Sequence, residues 1–166
     1  MFIAILSDIH DNLANLEKCL SWCKNNKIKK IVFCGDLTTL ETATYLASNF
    51  PGEIFIVRGN AEIYLDNEIK KYKNIIHCGE IGIKKIGTLK IGFCHEPVKI
   101  KKLLNSNPKK DLNFIFYGHT HKPALEKSLS TIIANPGNIA SIHYPASFAI
   151  LNTTTKKLEL KILTNL

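Results

Sequence analysis

No apolar run in this 166-residue chain approaches the roughly 20 residues a membrane span requires. The first apolar segment, Phe2 to Leu6, gives way at once to Ser7 and Asp8. It is too short for a signal h-region and lacks a basic flank, so a cytoplasmic protein is expected. Repeats, linkers and low-complexity stretches are also missing, and the length suits a single domain over residues 1–166 with one well-buried core. Five cysteines (Cys19, Cys23, Cys34, Cys78 and Cys94) are an odd number without zinc-knuckle spacing, which argues against a disulfide framework and for reduced thiols. Cys19 and Cys23, with Trp22 beside them, are expected to face a core. Arginine occurs once, at Arg58. Its fork suits a phosphate, although a strand-end residue turned away from the site is the plainer expectation.

What the chain does have is lysine. Lysine and arginine total 22 against 14 acidic residues, a net charge of +8. The lysines come in small scattered groups such as Lys27–Lys30, Lys70–Lys73 and Lys109–Lys110. They lack the aromatic interleaving of a single-strand platform, so a nucleic-acid partner is disfavoured and a solvated surface expected.

Phe2–Leu6, Ile31–Phe33 and Glu53–Val57 read as buried parallel strands. A helix capped by Asn12 and a second opening at Thr38 with Glu41 three residues on separate them. A third helical stretch is expected over 62–71. Brief strands follow near Ile75–His77, Glu80–Ile86 and Leu89–Phe93, then a short helix around Val98–Asn105 and a strand at Leu112–Tyr117. The tail reads as strands at Ala124–Ser128, Thr131–Ala134, Ser147–Leu151 and Lys157–Ile162. Parallel α/β units followed by a meander predict an α/β protein of two sheets packed face to face with helices outside.

Each expected core strand is followed by side chains suited to a metal or a substrate. Asp8 and His10 follow the first, Asp36 the second, Asn60 the third, His95 the strand Leu89–Phe93, and His119 with His121 the strand Leu112–Phe116. Ligands gather at the carboxyl ends of strands in open α/β sheets. Taken singly, Asp8 or Asp36 also reads as a helix cap, His95 or His119 as a core histidine, and Asn60 as a turn residue. Together they make seven oxygen and nitrogen donors, too many for one ion. Two ions about 3.5–4 Å apart would use them all, with Asp36 as the bridging candidate, a spacing suited to in-line displacement at phosphorus. The i, i+2 pairs Asp8/His10 and His119/His121 share a face if the backbone there is extended. His77 and His143 fall outside the pattern and read as structural.

Asp8-Ile9-His10, Gly35-Asp36, Gly59-Asn60, His95 and Gly118-His119-Thr120-His121 together resemble the calcineurin-like metallophosphoesterase superfamily. With Asn135-Pro136-Gly137 downstream, the chain is similar to its small YfcE- and Vps29-like subfamily. The resemblance implies a four-layer α-β-β-α sandwich. It also implies a first metal on Asp8, His10, Asp36 and His121, and a second on Asp36, Asn60, His95 and His119. Manganese leads, with nickel, iron, cobalt and zinc also suited to such ligands. The implied function is phosphodiester hydrolysis of a small or nucleotide-like ester by a bridging hydroxide, with Asp36, Asn60 and His95 taking part in catalysis. A Vps29-like interaction scaffold and, behind it, a nuclease are the alternatives, and a homo-oligomer is compatible with the sequence. Three positions depart from the family pattern: Ala61 where larger relatives carry a leaving-group histidine, Glu62 in place of Asp, and His95-Glu96-Pro97 in place of His-Gly-His.

Overall fold

Residues 1–107 and 111–166 are described in a computed structural model; the Lys109–Lys110 pair lies outside the described residues. The chain alternates strand and helix at first: β1 (Phe2–Leu6), α1 (Leu13–Asn25), β2 (Lys30–Phe33), α2 (Leu40–Asn49), β3 (Glu53–Ile56), α3 (Asp66–Ile69) and β4 (Ile75–His77). Then come β5 (Ile81–Ile86), β6 (Leu89–Cys94), a 3-10 turn at Pro97–Lys99, α4 (Ile100–Asn105), β7 (Phe114–Phe116), β8 (Ala124–Ser128), β9 (Thr131–Asn135), β10 (Ser147–Asn152) and β11 (Leu158–Ile162).

The strands form two mixed sheets, ordered β11-β10-β1-β2-β3-β4 and β5-β6-β7-β9-β8. β1 to β4 are mutually parallel, as are β6, β7 and β9. The second half is therefore not the expected meander. β4 joins the first sheet, β7 returns parallel to β6, and β10 and β11 cross back to extend the first sheet beyond β1.

Three apolar clusters lie between four layers. Because side chains alternate along a strand, Ala4 and Leu6 of β1 pack under α1 and α2 with Leu16, Leu20, Phe33 and Leu46. Ile3 and Ile5 face the other way, into the seam between the sheets, with Val32, Phe93, Phe114 and Phe116. Leu103 of α4 covers the far side of the second sheet over Ile115 and Leu112. Cys19 and Cys23 are buried in the α1 face, and Trp22 packs edge-on against Phe148 with ring centroids 5.4 Å apart.

The Asn12 side chain caps α1 by accepting from the Asn15 amide at 3.0 Å. α2 is capped by Thr39 rather than Thr38: the Thr39 hydroxyl accepts from the Thr42 amide. The stretch expected as a helix over 62–71 keeps only the four residues of α3. Arg58 is the reason, because its guanidinium donates to the carbonyls of Glu62 and Tyr64 at 3.2 and 3.0 Å, acceptors that a helix would spend on its own amides. The fork also pairs with Asp66 at 2.6 Å, so it braces this loop instead of facing a substrate.

Candidate metal centre

Parallel strands deliver their carboxyl ends to one edge of the sandwich, and the loops there are stitched together by backbone bonds. Asp8 N–H donates to the Gly35 carbonyl at 3.0 Å and Ile9 N–H to Asp36 at 2.8 Å. In the second sheet, Gly118 N–H donates to the His95 carbonyl at 2.9 Å. Two glycines allow the packing that follows. A Cβ on Gly59 would lie 2.0 Å from Asp36 Oδ1, and one on Gly118 would lie 1.9 Å from Ser7 Oγ.

All seven residues singled out in the sequence converge there, in two groups. In the first, His121 Nε2 lies 3.3 Å from Asp8 Oδ1 and 3.2 Å from His10 Nε2. In the second, Asn60 Oδ1 lies 2.8 Å from both His95 Nε2 and His119 Nδ1. Asp36 Oδ2 sits between the groups, 3.6 Å from His10 Nε2 and 3.2 Å from His95 Nε2. Asp8, Asp36 and His95 are buried and form the floor, whereas Asn60 and His119 are exposed at the mouth. Each group takes residues from both sheets.

The i, i+2 pairs do not converge by extension. Asp8, His10, Asp36, His119 and His121 all have left-handed backbones, with φ of 54, 42, 64, 66 and 58°. Tight left-handed turns, not a shared strand face, aim these side chains inward. Each such residue costs on the order of 1–2 kcal/mol, strain of the kind that gathers at functional sites.

The hydrogen bonds define what the donors can hold. His95 Nδ1 lies 2.8 Å from the Cys34 carbonyl, an acceptor, so this nitrogen carries the proton and Nε2 of the neutral ring presents a lone pair. That lone pair faces Asn60 Oδ1 and Asp36 Oδ2, both acceptors. Three acceptors meeting at one point repel unless a cation lies between them. The donor separations of 2.8–3.8 Å also bracket the roughly 3.0–3.4 Å edges of a coordination shell with bonds of about 2.1 Å. The residues fit divalent transition metals: nitrogen and oxygen donors, no thiolate, and imidazole tautomers set from behind.

With protons as the only cations, the same groups hold one another charged. Burial pushes the Asp8 carboxyl up, but hydrogen bonds from His10 and His121 and the nearby His95 outweigh it, leaving Asp8 well below its ordinary value. Asp36 is raised by burial and more strongly lowered by His95 and the Ala61 amide, again a net lowering. His10 is raised by Asp8 against its burial. Burial lowers His95, but Asp36, Asp8 and the Cys34 carbonyl together outweigh it and leave the ring raised.

Further residues brace the site. Glu62 does not point at the reaction space: its Oε1 accepts from the Asp36 amide at 2.8 Å, and its buried Oε2 has no partner among the described residues. Asn135 donates to the Gly118 carbonyl and the Thr120 hydroxyl at 2.9 and 3.0 Å, tying the Asn135-Pro136-Gly137 turn to the His119 loop. His143, read from sequence as structural, has its ring centroid 6.4 Å from that of His121. His77 lies apart, 3.8 Å from Asp66.

Comparison with known proteins finds relatives among phosphoesterases. The chain is 28% identical over 147 residues to the phosphodiesterase MJ0936 of Methanocaldococcus jannaschii, covering 82% of this chain and 83% of that protein. A probable metallophosphoesterase of the same organism, MJ0623, is 25% identical over 98% of this chain and 81% of its own length. Among solved structures, an archaeal phosphodiesterase superposes with a TM-score of 0.85 at 23% identity, covering 98% of this chain and 99% of that one. Vps29 of Chaetomium thermophilum gives 0.68 at 18% identity, over 98% and 92% of the two chains; at such identities these are likenesses of fold. A model of the calcineurin-like phosphoesterase superfamily domain matches residues 1–156, and the chain belongs to that superfamily.

Proposed function

We propose that the protein is a cytoplasmic, dinuclear metal-dependent phosphodiesterase acting on a small or nucleotide-like phosphate ester. One observation carries this reading: His95 Nε2, on a ring whose Nδ1 is held by the Cys34 carbonyl, meets Asp36 and Asn60 oxygens at 3.2 and 2.8 Å. Asp8, His10, Asp36 and His121 would hold one ion, and Asp36, Asn60, His95 and His119 the other. Two divalent ions bound there, manganese first among the candidates, supply Lewis acidity that brings a water's pKa toward neutrality and offsets charge on the phosphoryl oxygens.

The chain's own contribution is positioning. His119 N–H donates to both Asp8 oxygens at 3.1 Å, which holds the carboxylate in its ligating orientation. Ala61 N–H donates to Asp36 Oδ1 at 2.9 Å, leaving Oδ2 to serve both groups. The Asn60 amide nitrogen, opposite the oxygen turned to His95 and His119, is free to orient a phosphoryl oxygen. Ala61 brings no proton donor to the mouth, so esters with acidic leaving groups are the preferred substrates of this arrangement. Among the described residues no helix is long and apolar enough to cross a membrane.

Hydrolysis of bis-p-nitrophenyl phosphate in manganese tests the reading. Activity lost on chelation, and lost in Asp36→Ala and His119→Ala, is expected; variants that retain the wild-type rate would sink it. A second reading, an interaction scaffold, draws on an apolar groove of about 220 Å³ beside Leu125 and Leu160, lined by none of the seven donors. It ranks below the enzyme because a scaffold has no need of five strained left-handed residues aimed at one point.

A further inference from the structure

His143 stands outside the seven donors, yet the fold takes trouble to place it. Its loop is tied to the metal-centre loops from three directions. The Asn138 amide, fully buried, donates to the His121 carbonyl at 3.1 Å and accepts from Ile142 N–H at 2.9 Å. Ala140 N–H donates to the Asp8 carbonyl at 3.0 Å, and Ile139 N–H to Ser7 and Asp8. Asn12 and Asn15, which open α1, donate to the carbonyls of Ala140 and Ile139 at 3.1 and 2.8 Å.

On this braced loop Ser141 and His143 both take left-handed backbones, φ 63 and 61°. The His143 ring lands 6.4 Å from the His121 ring, tilted by 34°, and stays exposed. Among the described residues nothing hydrogen-bonds that ring. A core role is excluded by the exposure. Its place is one ring farther out than the His10–His121 pair, whose centroids are 5.1 Å apart. Ala61, beside Asn60, has no side-chain donor.

Resting on the phosphodiesterase reading, we infer that His143 is a substrate-contacting residue, whose imidazole N–H donates a hydrogen bond to an oxygen of the phosphate ester on the His10–His121 side. An N–H is available in either protonation state of the ring, so the contact needs no proton transfer. The ligand class is a phosphoryl anion, and the residue contributes to its affinity and orientation rather than to metal binding.

The test is titration of inorganic phosphate into manganese-loaded wild type, His143→Ala and His143→Gln, followed by calorimetry, with metal content measured by atomic emission. His143→Ala is expected to keep its metal and to bind phosphate about 10- to 100-fold more weakly, the contribution of one hydrogen bond to a charged acceptor. His143→Gln, which retains an N–H donor, should recover most of that affinity, a rescue that a purely structural role would not show. Phosphate affinity unchanged in His143→Ala, or metal lost from it, overturns the contact. An active wild type with the first of these results leaves the phosphodiesterase reading standing. A wild type that binds phosphate through His143 but hydrolyses nothing keeps the contact and sinks that reading, and one that hydrolyses the diester but binds no phosphate overturns the contact alone.

Discussion

Glu62 offers the sharpest check on how the site is held. Its Oε1 accepts from the Asp36 amide at 2.8 Å, and the side chain is only 7% exposed. In Glu62→Ala that buried N–H loses its acceptor, at a cost of about 1–3 kcal/mol. One buried methylene is also removed, worth about 0.8 kcal/mol. The sum, about 2–4 kcal/mol, corresponds to a fall of about 4–16 °C in Tm for a chain of this size. Glu62→Gln keeps an acceptor in the same place and drops the charge. Burial raises the Glu62 carboxyl, and the neighbouring Asp36 raises it further. A carboxyl whose folded-state value is raised binds more protons folded than unfolded, so its contribution to stability falls as pH rises above about 4.5. Glu62→Gln lacks this fall: it should match the wild type at pH 4 and equal or exceed it at pH 8. Thermal unfolding in chelator, followed by circular dichroism at both pH values, reads each effect without bound metal. A Gln variant as damaged as the Ala variant would refute the argument, since the retained acceptor would then count for nothing.

Four other outcomes are expected. In chelator, the lowered Asp8 and Asp36 make stability fall below about pH 4, and the raised His10 and His95 make it fall as pH climbs beyond about 6.5. Manganese binds the deprotonated rings, so the gap in Tm between manganese-loaded and chelated protein should widen from pH 5.5 to pH 8; a constant gap counts against imidazole ligation. Gly59→Ala drives a Cβ to 2.0 Å from Asp36 Oδ1. It should cost about 1–3 kcal/mol by overpacking and reduce bound metal by atomic emission, whereas full metal content would show that Asp36 can yield. Arg58→Ala should lose about 1 kcal/mol or less from its half-exposed pair with Asp66, yet raise limited proteolysis within residues 59–66. An unchanged digestion pattern would mean the loop holds itself.

The donors were legible because chemistry-bearing residues follow buried apolar strands: Leu6 is followed by Asp8, Phe33 by Asp36, Ile56 by Asn60, and Phe116 by His119 and His121. Strand ends and side-chain types are both local properties. The route by which they converge was not local. Nothing in the spacing of Asp8 and His10 separates an extended segment from two left-handed residues, and the structure has the latter. The short α3 was hidden for the same reason, since its missing turns trace to carbonyls claimed by Arg58. His143 was passed over because its approach to His121 depends on a buried amide at Asn138, a contact that residue types alone do not announce. The family's sandwich was expected from the motifs, whereas the return of β10 and β11 to the first sheet was obscured by how uniformly short the later strands are.

Each donor group spans the seam of the sandwich: Asp8, His10, Asp36 and Asn60 ride on the first sheet, His95, His119 and His121 on the second. Donor spacing is therefore a gauge of how the two sheets are registered. A slide of one sheet over the other by a fraction of an ångström would change every cross-seam distance at once while leaving each sheet intact. Residues deep in that seam, such as Val57, Phe93 and Phe116, accordingly act as the adjusting screws of a site to which none of them contributes a donor.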